Sequence, residues 1–230
     1  MRSAIILFPG STGERELARS LRAACGCEPQ PIWHKEALLP AGIDLVALPN
    51  GASFGDALRP GAIAARAPIM EAVAGFAARG GMVLGLGNGF QVLTEAGLLP
   101  GVLMQNKGLK FISQDVHLRV ETADSPYTAR YPKGAVIRLP VAHGAGNFHA
   151  DARILAELRD ADRIAFRYCG ADGSAGGNPN GSEDDIAGVL SANRRVLGMM
   201  PLPERCADPV PGPSDGAEIF KSLLGEVATA

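Results

Sequence analysis

The sequence lacks both the charge imbalance and the long apolar runs that would direct a protein to nucleic acid or to a bilayer. Its 22 Lys and Arg residues are nearly balanced by 24 Asp and Glu residues, which gives a net charge of −2 at pH 7, whereas nucleic-acid-binding domains are usually basic. The longest apolar runs, such as 43–48, have the length of a strand and are far shorter than the roughly 20 residues that span a membrane. The first residues lead directly into a strand and have no signal-peptide layout. We therefore expect a cytoplasmic protein that binds neither nucleic acid nor membranes.

Cysteine is also scarce, and its spacing fits neither a zinc site nor a disulfide framework. Reduced thiols are the expectation for such a chain in the cytoplasm. Three of the 4 histidines show no ligand spacing, and no glycine-rich segment has the spacing of a phosphate-binding loop. We therefore predict no metal and no cofactor. The cysteines are Cys25, Cys27, Cys169 and Cys206.

Hydrophobic residues are plentiful: they make up 47% of 230 residues, enough for one large domain with a substantial core. Strands this apolar are usually buried on both faces, as in a mostly parallel sheet covered by helices. We predict a single α/β domain over residues 1–230, with a central, mostly parallel sheet flanked by helices. Strands are predicted at 4–8, 31–33, 43–48, 82–86, 116–121, 135–141, 163–168, 186–190 and 196–200. Helices are predicted at 14–24, 63–78, 90–96, 152–158 and 217–224, and polar loops at 169–185 and 208–214.

The stretch 82–91, Met-Val-Leu-Gly-Leu-Gly-Asn-Gly-Phe-Gln, is predicted to be a buried strand that turns sharply into a helix. A turn of this kind is a nucleophile elbow, in which the turn residue is held in a strained conformation beside a cleft. Here the turn residue is Gly87, which adopts positive φ without steric cost but carries no nucleophile. Gly87 is therefore either the relaxed elbow of a site that still binds a ligand or a structural turn glycine.

Several short segments, in order along the chain, are typical of one family. They include Phe-Pro-Gly-Ser at 8–11, Phe-Gly-Asp at 54–56, Asn-Gly-Phe-Gln at 88–91, Pro-Val-Ala-His-Gly at 140–144, Asn-Pro-Asn-Gly-Ser at 178–182 and Gly-Met-Met-Pro at 198–201. On these segments the chain resembles, over nearly its whole length, the glutamine amidotransferase subunit of phosphoribosylformylglycinamidine synthase. The resemblance implies the flavodoxin-like fold of class I glutamine amidotransferases.

The family's chemistry, as the resemblance implies it, is glutamine hydrolysis by a cysteine on the elbow, a histidine base and a glutamate that orients the base. Backbone N–H groups of a Gly-Gly turn and of the elbow hold the oxyanion. The resemblance places Gly87, Leu202 and Glu204 at the three triad positions. The nucleophile and the base are therefore missing. Asn50 replaces the first glycine of the oxyanion turn, before Gly51.

The resemblance also indicates which residues line the former glutamine pocket. Leu202 is interpreted as an apolar residue that fills this pocket, and Ala145 stands where the family has an acidic residue. The histidine of the rim is either a binding residue or a hydrogen-bonded loop histidine. The predicted binding residues are Asn50, Gly51, Asn88, Gln91 and His143.

Two functional hypotheses follow from a triad that has lost two members. The first is a non-catalytic subunit that has no glutaminase activity and binds a larger, PurL-like synthetase, with a small PurS-like subunit as a further candidate partner. The alternative is a repurposed enzyme that uses the former glutamine pocket for a different reaction, in a purine-like or nitrogen-transfer pathway. The motif segments outside the triad are retained, which favours the first.

Overall fold

The computed structural model describes residues 1–207 and 215–227. The predicted loop at 208–214 lies outside them. The strands are β1 (Ser3–Leu7), β2 (Gln30–Trp33), β3 (Leu45–Leu48), β4 (Met82–Leu86), β5 (Val102–Met104), β6 (Ile112–Val120), β7 (Val136–His143), β8 (Asn147–His149), β9 (Ile164–Cys169), β10 (Ile186–Leu190) and β11 (Val196–Met199). The helices are α1 (Glu14–Cys25), α2 (Ile69–Ala78), α3 (Asn88–Glu95), α4 (Ala152–Asp160) and α5 (Ala217–Val227).

The main sheet has nine strands in the order β2-β1-β3-β4-β11-β10-β9-β6-β7. The strands from β2 to β11 run parallel, and those from β11 to β7 pair antiparallel. The predicted α/β sheet flanked by helices is confirmed. Because β11 lies beside β4, one continuous sheet joins the two halves of the chain.

Two hydrophobic cores cover the opposite faces of this sheet. The alternation of side chains along β4 divides them, since Leu84 packs into one core and Val83 into the other. Helices α1 and α5 cover the first face, and helices α2, α3 and α4 cover the second. Strands buried on both faces need apolar residues at every position, which explains the continuous apolar run of β4.

The predicted helix at 63–78 is wrong in its first part. A 3-10 helix covers Ala64–Arg66, and α2 begins only at Ile69. Pro68 has no N–H and disfavours the helical conformation at the residue before it. Ala67 accordingly has an extended backbone, with ψ at 147°.

Two further differences concern short elements. Helix α3 begins at Asn88, earlier than the predicted 90, because Gly87 is already its N-cap. The antiparallel ribbon of β5 and β8 has no counterpart among the predicted strands. Each of its strands has only three residues, too few for an alternation pattern to stand out. Within the two described ranges, no helix is both long enough and apolar enough to cross a membrane.

Candidate functional site

The turn between β4 and α3 has the backbone geometry of an elbow. Gly87 has φ at 53° and ψ at −111°, a region that side-chain-bearing residues rarely adopt. Its N–H donates to the carbonyl oxygen of Met199 at 2.9 Å, and its own carbonyl accepts from the N–H of Phe90 at 3.0 Å. The turn is therefore held by β11 on one side and by the first turn of α3 on the other.

The side chain of Asn50 occupies the space beside this turn. A β-carbon built on Gly87 would overlap Oδ1 of Asn50 and lie 2.7 Å from its Cγ. The same Oδ1 accepts a hydrogen bond from the N–H of Asn88 at 3.2 Å. Asn50 is buried, with only 6% of its surface exposed. The carboxamide of Asn50 thus lies where the side chain of an elbow residue would begin.

The turn that carries Asn50 is packed tightly against the loop after β1. The N–H groups of Thr12 and Gly13 both donate to the main-chain carbonyl oxygen of Asn50, at 3.1 and 3.0 Å. Gly51 has φ at 154°, and a β-carbon on it would lie 2.7 Å from Cα of Ser11. Only glycine fits this close approach, so the second residue of the oxyanion turn is fixed by sterics.

A network of side-chain amides joins the loops of the rim. The Nδ2 of Asn88 donates to Oε1 of Gln91 at 2.8 Å, and its Oδ1 accepts from the N–H of Ser53 at 3.1 Å. The Nε2 of Gln91 donates to the carbonyl oxygen of Ala145 at 2.5 Å. Asp56, whose pKa is raised by burial, lies 3.4 Å from Nδ2 of Asn88. The side-chain amides of Asn88 and Gln91, both predicted binding residues, therefore hold the loops of the rim together.

His143, at the end of β7, is held by a second buried amide. Asn106 donates through Nδ2 to the carbonyl oxygens of His143 and Lys110, both at 2.9 Å. Its Oδ1 accepts from the N–H of Gly146 and lies 3.0 Å from Nδ1 of His143. Since Oδ1 can only accept, Nδ1 carries the proton of the imidazole. Burial lowers the pKa of His143 to about 4, so the ring is neutral.

The two remaining triad positions lie in the core rather than at the surface of the cleft. Leu202 is fully buried in the core that α1 and α5 cover, and its N–H donates to the carbonyl oxygen of Pro140 at 2.9 Å. Glu204 follows in the 3-10 helix Pro203–Cys206. Among the described residues, neither carboxyl oxygen of Glu204 has a hydrogen-bond partner. Burial raises the pKa of Glu204 to about 8, so this carboxyl group is protonated at neutral pH.

A cleft of about 560 Å³ opens at the carboxyl ends of the parallel strands. All five predicted binding residues line it, whereas Gly87, Leu202 and Glu204 are not among its lining residues. Sequence reasoning missed Lys110, which lines the cleft, and Asn106, which fixes the histidine through hydrogen bonds to residues up to 40 positions away. The lining of the cleft also includes four exposed apolar side chains, those of Leu58, Met104, Leu109 and Phe111.

Residues 1–219 match the family model of the CobB/CobQ-like glutamine amidotransferase domain. The chain is 58% identical over 226 residues to phosphoribosylformylglycinamidine synthase subunit PurQ of Rhodospirillum rubrum, an alignment that covers 97% of this chain and 98% of that protein. It is 53% identical to the same subunit of Rhodopseudomonas palustris (strain BisB18), over 100% of both chains. In the structure of PurLQS from Thermotoga maritima, a chain 38% identical in sequence superposes with a TM-score of 0.87 and covers 98% of both chains. The glutaminase domain of Trypanosoma brucei CTPS, at 14% identity and a TM-score of 0.60, shares the fold.

Proposed function

The chain belongs to the CobB/CobQ-like glutamine amidotransferases, and within them to the family of phosphoribosylformylglycinamidine synthase subunit PurQ; on that premise we propose that it is a non-catalytic subunit of this kind. In this role the whole chain acts as one amidotransferase-like domain. It binds a PurL-like synthetase and does not hydrolyse glutamine.

The proposed loss of glutaminase activity rests on the residues at the elbow and around it. Acyl transfer from glutamine needs a nucleophile, a base and an oxyanion site. Gly87 provides no nucleophile, and Leu202 provides no base. The N–H of Asn88, which would help to hold the oxyanion, already donates to Asn50. Loss of a nucleophile or base alone lowers kcat by roughly 10⁶ in a Ser-His-Asp enzyme, so we expect no measurable turnover.

The support for a synthetase partner is the likeness over nearly the full length to a chain of PurLQS, together with the surface around the cleft. Phe111 is 69% exposed, and the neighbouring leucines, Leu58 and Leu109, are 91% and 79% exposed. Exposed apolar side chains grouped in this way mark interaction surfaces. We therefore place the docking face for the synthetase at the rim of the cleft, with a PurS-like subunit as a further partner.

The test of this proposal is co-purification of the tagged protein with the synthetase from its native host. A specific interface should bury about 1,200–2,000 Å² in total. Phe111→Asp should weaken the complex at least about tenfold, as loss of a central aromatic anchor does. Leu38→Asp is the matched control, because Leu38 is 80% exposed but lies outside the cleft.

A repurposed enzyme is the second candidate, and the persistence of an open cleft with polar residues such as His143 and Asp56 favours it. Two results together would select it over the subunit. The tagged protein would come out of its host alone, and its deletion would leave the ammonia-dependent activity of the synthetase unchanged.

A further inference from the structure

We propose that Asn50 is a built-in occupant of the oxyanion site, whose carboxamide takes the place of the glutamine amide and keeps that substrate out of the cleft's inner end. This inference deepens the proposed function and rests on it for the identity of the excluded ligand. On this inference Asn50 alone closes the glutamine site, independently of the missing nucleophile and base.

The first step is that Asn50 is held at both its main chain and its side chain. Its main-chain carbonyl oxygen accepts two hydrogen bonds, from the N–H groups of Thr12 and Gly13. Its Cβ faces Gly13 so closely that a β-carbon on that glycine would lie 3.2 Å away. Its Oδ1 then receives the N–H of Asn88. With its main chain fixed and its Oδ1 bonded to the elbow, the buried Asn50 side chain occupies the site in the resting protein.

The second step is chemical equivalence. Glutamine carries a primary carboxamide, the same group as the Asn50 side chain, and its oxygen would need the N–H of Asn88 as a donor. That N–H belongs to the first residue of α3 and points out of the helix N-terminus, where acceptors and developing negative charge are stabilised. One such donor serves one acceptor at this distance. Glutamine must therefore displace Asn50 to reach the elbow.

The third step is that the residues at 50 and 87 depend on one another. Asn50 fits only because Gly87 has no side chain, since any β-carbon there would overlap Oδ1. A return of a nucleophile at 87 alone would meet the Asn50 side chain before it met a substrate. The effects of substitutions at positions 50 and 87 on stability should therefore depend on one another. This coupling can be measured without any catalytic assay.

The first test is a double-mutant cycle on thermal stability with Gly87→Ala and Asn50→Gly. Gly87→Ala should lower Tm strongly in the natural background, through the overlap with Asn50 and through the strained backbone. In the Asn50→Gly background the part caused by the overlap disappears, so the fall in Tm should be clearly smaller. Equal falls in both backgrounds would overturn the proposal.

The second test is glutamine binding, measured by calorimetry and by the NMR shift of the Asn88 amide. Asn50→Gly should bind L-glutamine about fivefold more tightly than the natural chain, the factor that corresponds to roughly one net hydrogen bond. Asn50→Asp is the matched control, because it keeps an acceptor of the same size in the site and should leave the affinity unchanged. If Asn50→Gly does not fold, Asn50→Ala is used in its place, because it removes the same oxygen.

Equal glutamine affinity in the natural chain and in the opened variant would overturn the proposal. Failure of the proposed function would look different. It would show as ammonia release by the natural chain or as the absence of a synthetase partner, and neither result depends on the affinity gained by Asn50→Gly.

Discussion

The replacement Glu204→Gln should remove a large pH dependence of stability. The pKa of Glu204 is about 8 in the folded chain, against an ordinary value of 4.5. Between these two values the unfolded chain has released its proton while the folded chain still holds it. The free energy of unfolding therefore falls as the pH rises from about 4.5 to 8, and the loss is complete above the folded pKa.

The size of this effect follows from the separation of the two pKa values. A pH of 7 lies 2.5 units above the ordinary pKa of 4.5, which is the pKa in the unfolded chain. At 1.36 kcal/mol per unit, the folded chain has lost about 3 kcal/mol of stability at this pH. Glutamine cannot ionise, so the variant should lack this slope. Its amide also remains buried, so the absolute stability at one pH is less informative than the change between pH 5 and pH 8.

The measurement is urea-induced unfolding of the natural chain and the variant at pH 5, 6, 7 and 8. The difference in unfolding free energy between the two chains should grow by about 3 kcal/mol across this range. Glu36→Gln, at an exposed glutamate, is the matched control and should follow the natural chain at every pH. Parallel curves for the natural chain and Glu204→Gln would refute the reasoning, because they would mean that Glu204 is ionised in the fold.

Three further predictions concern the cleft and its rim. The natural chain should release no ammonia from glutamine above background, and neither Gly87→Cys nor its combination with Leu202→His should restore turnover while Asn50 remains; steady ammonia release by either variant would contradict this. Asn106→Leu, which removes four hydrogen bonds from a fully buried position, should lower the unfolding free energy by roughly 2–4 kcal/mol, and an unchanged denaturation midpoint would refute it. Arg59→Ala, which breaks the bidentate pair between the largely exposed Arg59 side chain and the largely buried side chain of Glu95, should lower stability by roughly 1 kcal/mol. A loss of several kcal/mol in the same assay would contradict this.

The parallel half of the fold was predictable because its signals are local. The apolar run of β4 and the glycine at 87 identify a strand and a tight turn from adjacent residues. The apolar spacing of residues 63–78 predicts a helix that is too long, because Pro68 prevents the helix from beginning before Ile69. The loop at 208–214 lies outside the described residues and stays a prediction.

The sequence predicts which residues line the site but not which contacts they make. The family motifs identify Asn50 as a changed residue, but its hydrogen bond joins it to a residue 38 positions away, which no local pattern encodes. The same holds for Glu204, whose sequence neighbours give no sign of a buried, protonated carboxyl group. Leu202, interpreted as a pocket-filling residue, lies in the core that α1 and α5 cover and is not among the residues that line the cleft, so that interpretation stays a prediction.

The position of β11 in the sheet has a consequence for how the chain is made. This strand comes from residues 196–199, yet it inserts between β4 and β10, near the middle of the sheet. A nascent chain whose synthesis has not reached residue 196 has two open strand edges at its centre, both bordered by apolar surface. Such edges pair readily with other chains, and contacts between residues so distant in sequence form slowly. Vectorial synthesis therefore leaves this fold without its central strand until residues 196–199 have been made, and until then a ribosome-associated chaperone would have open strand edges to protect.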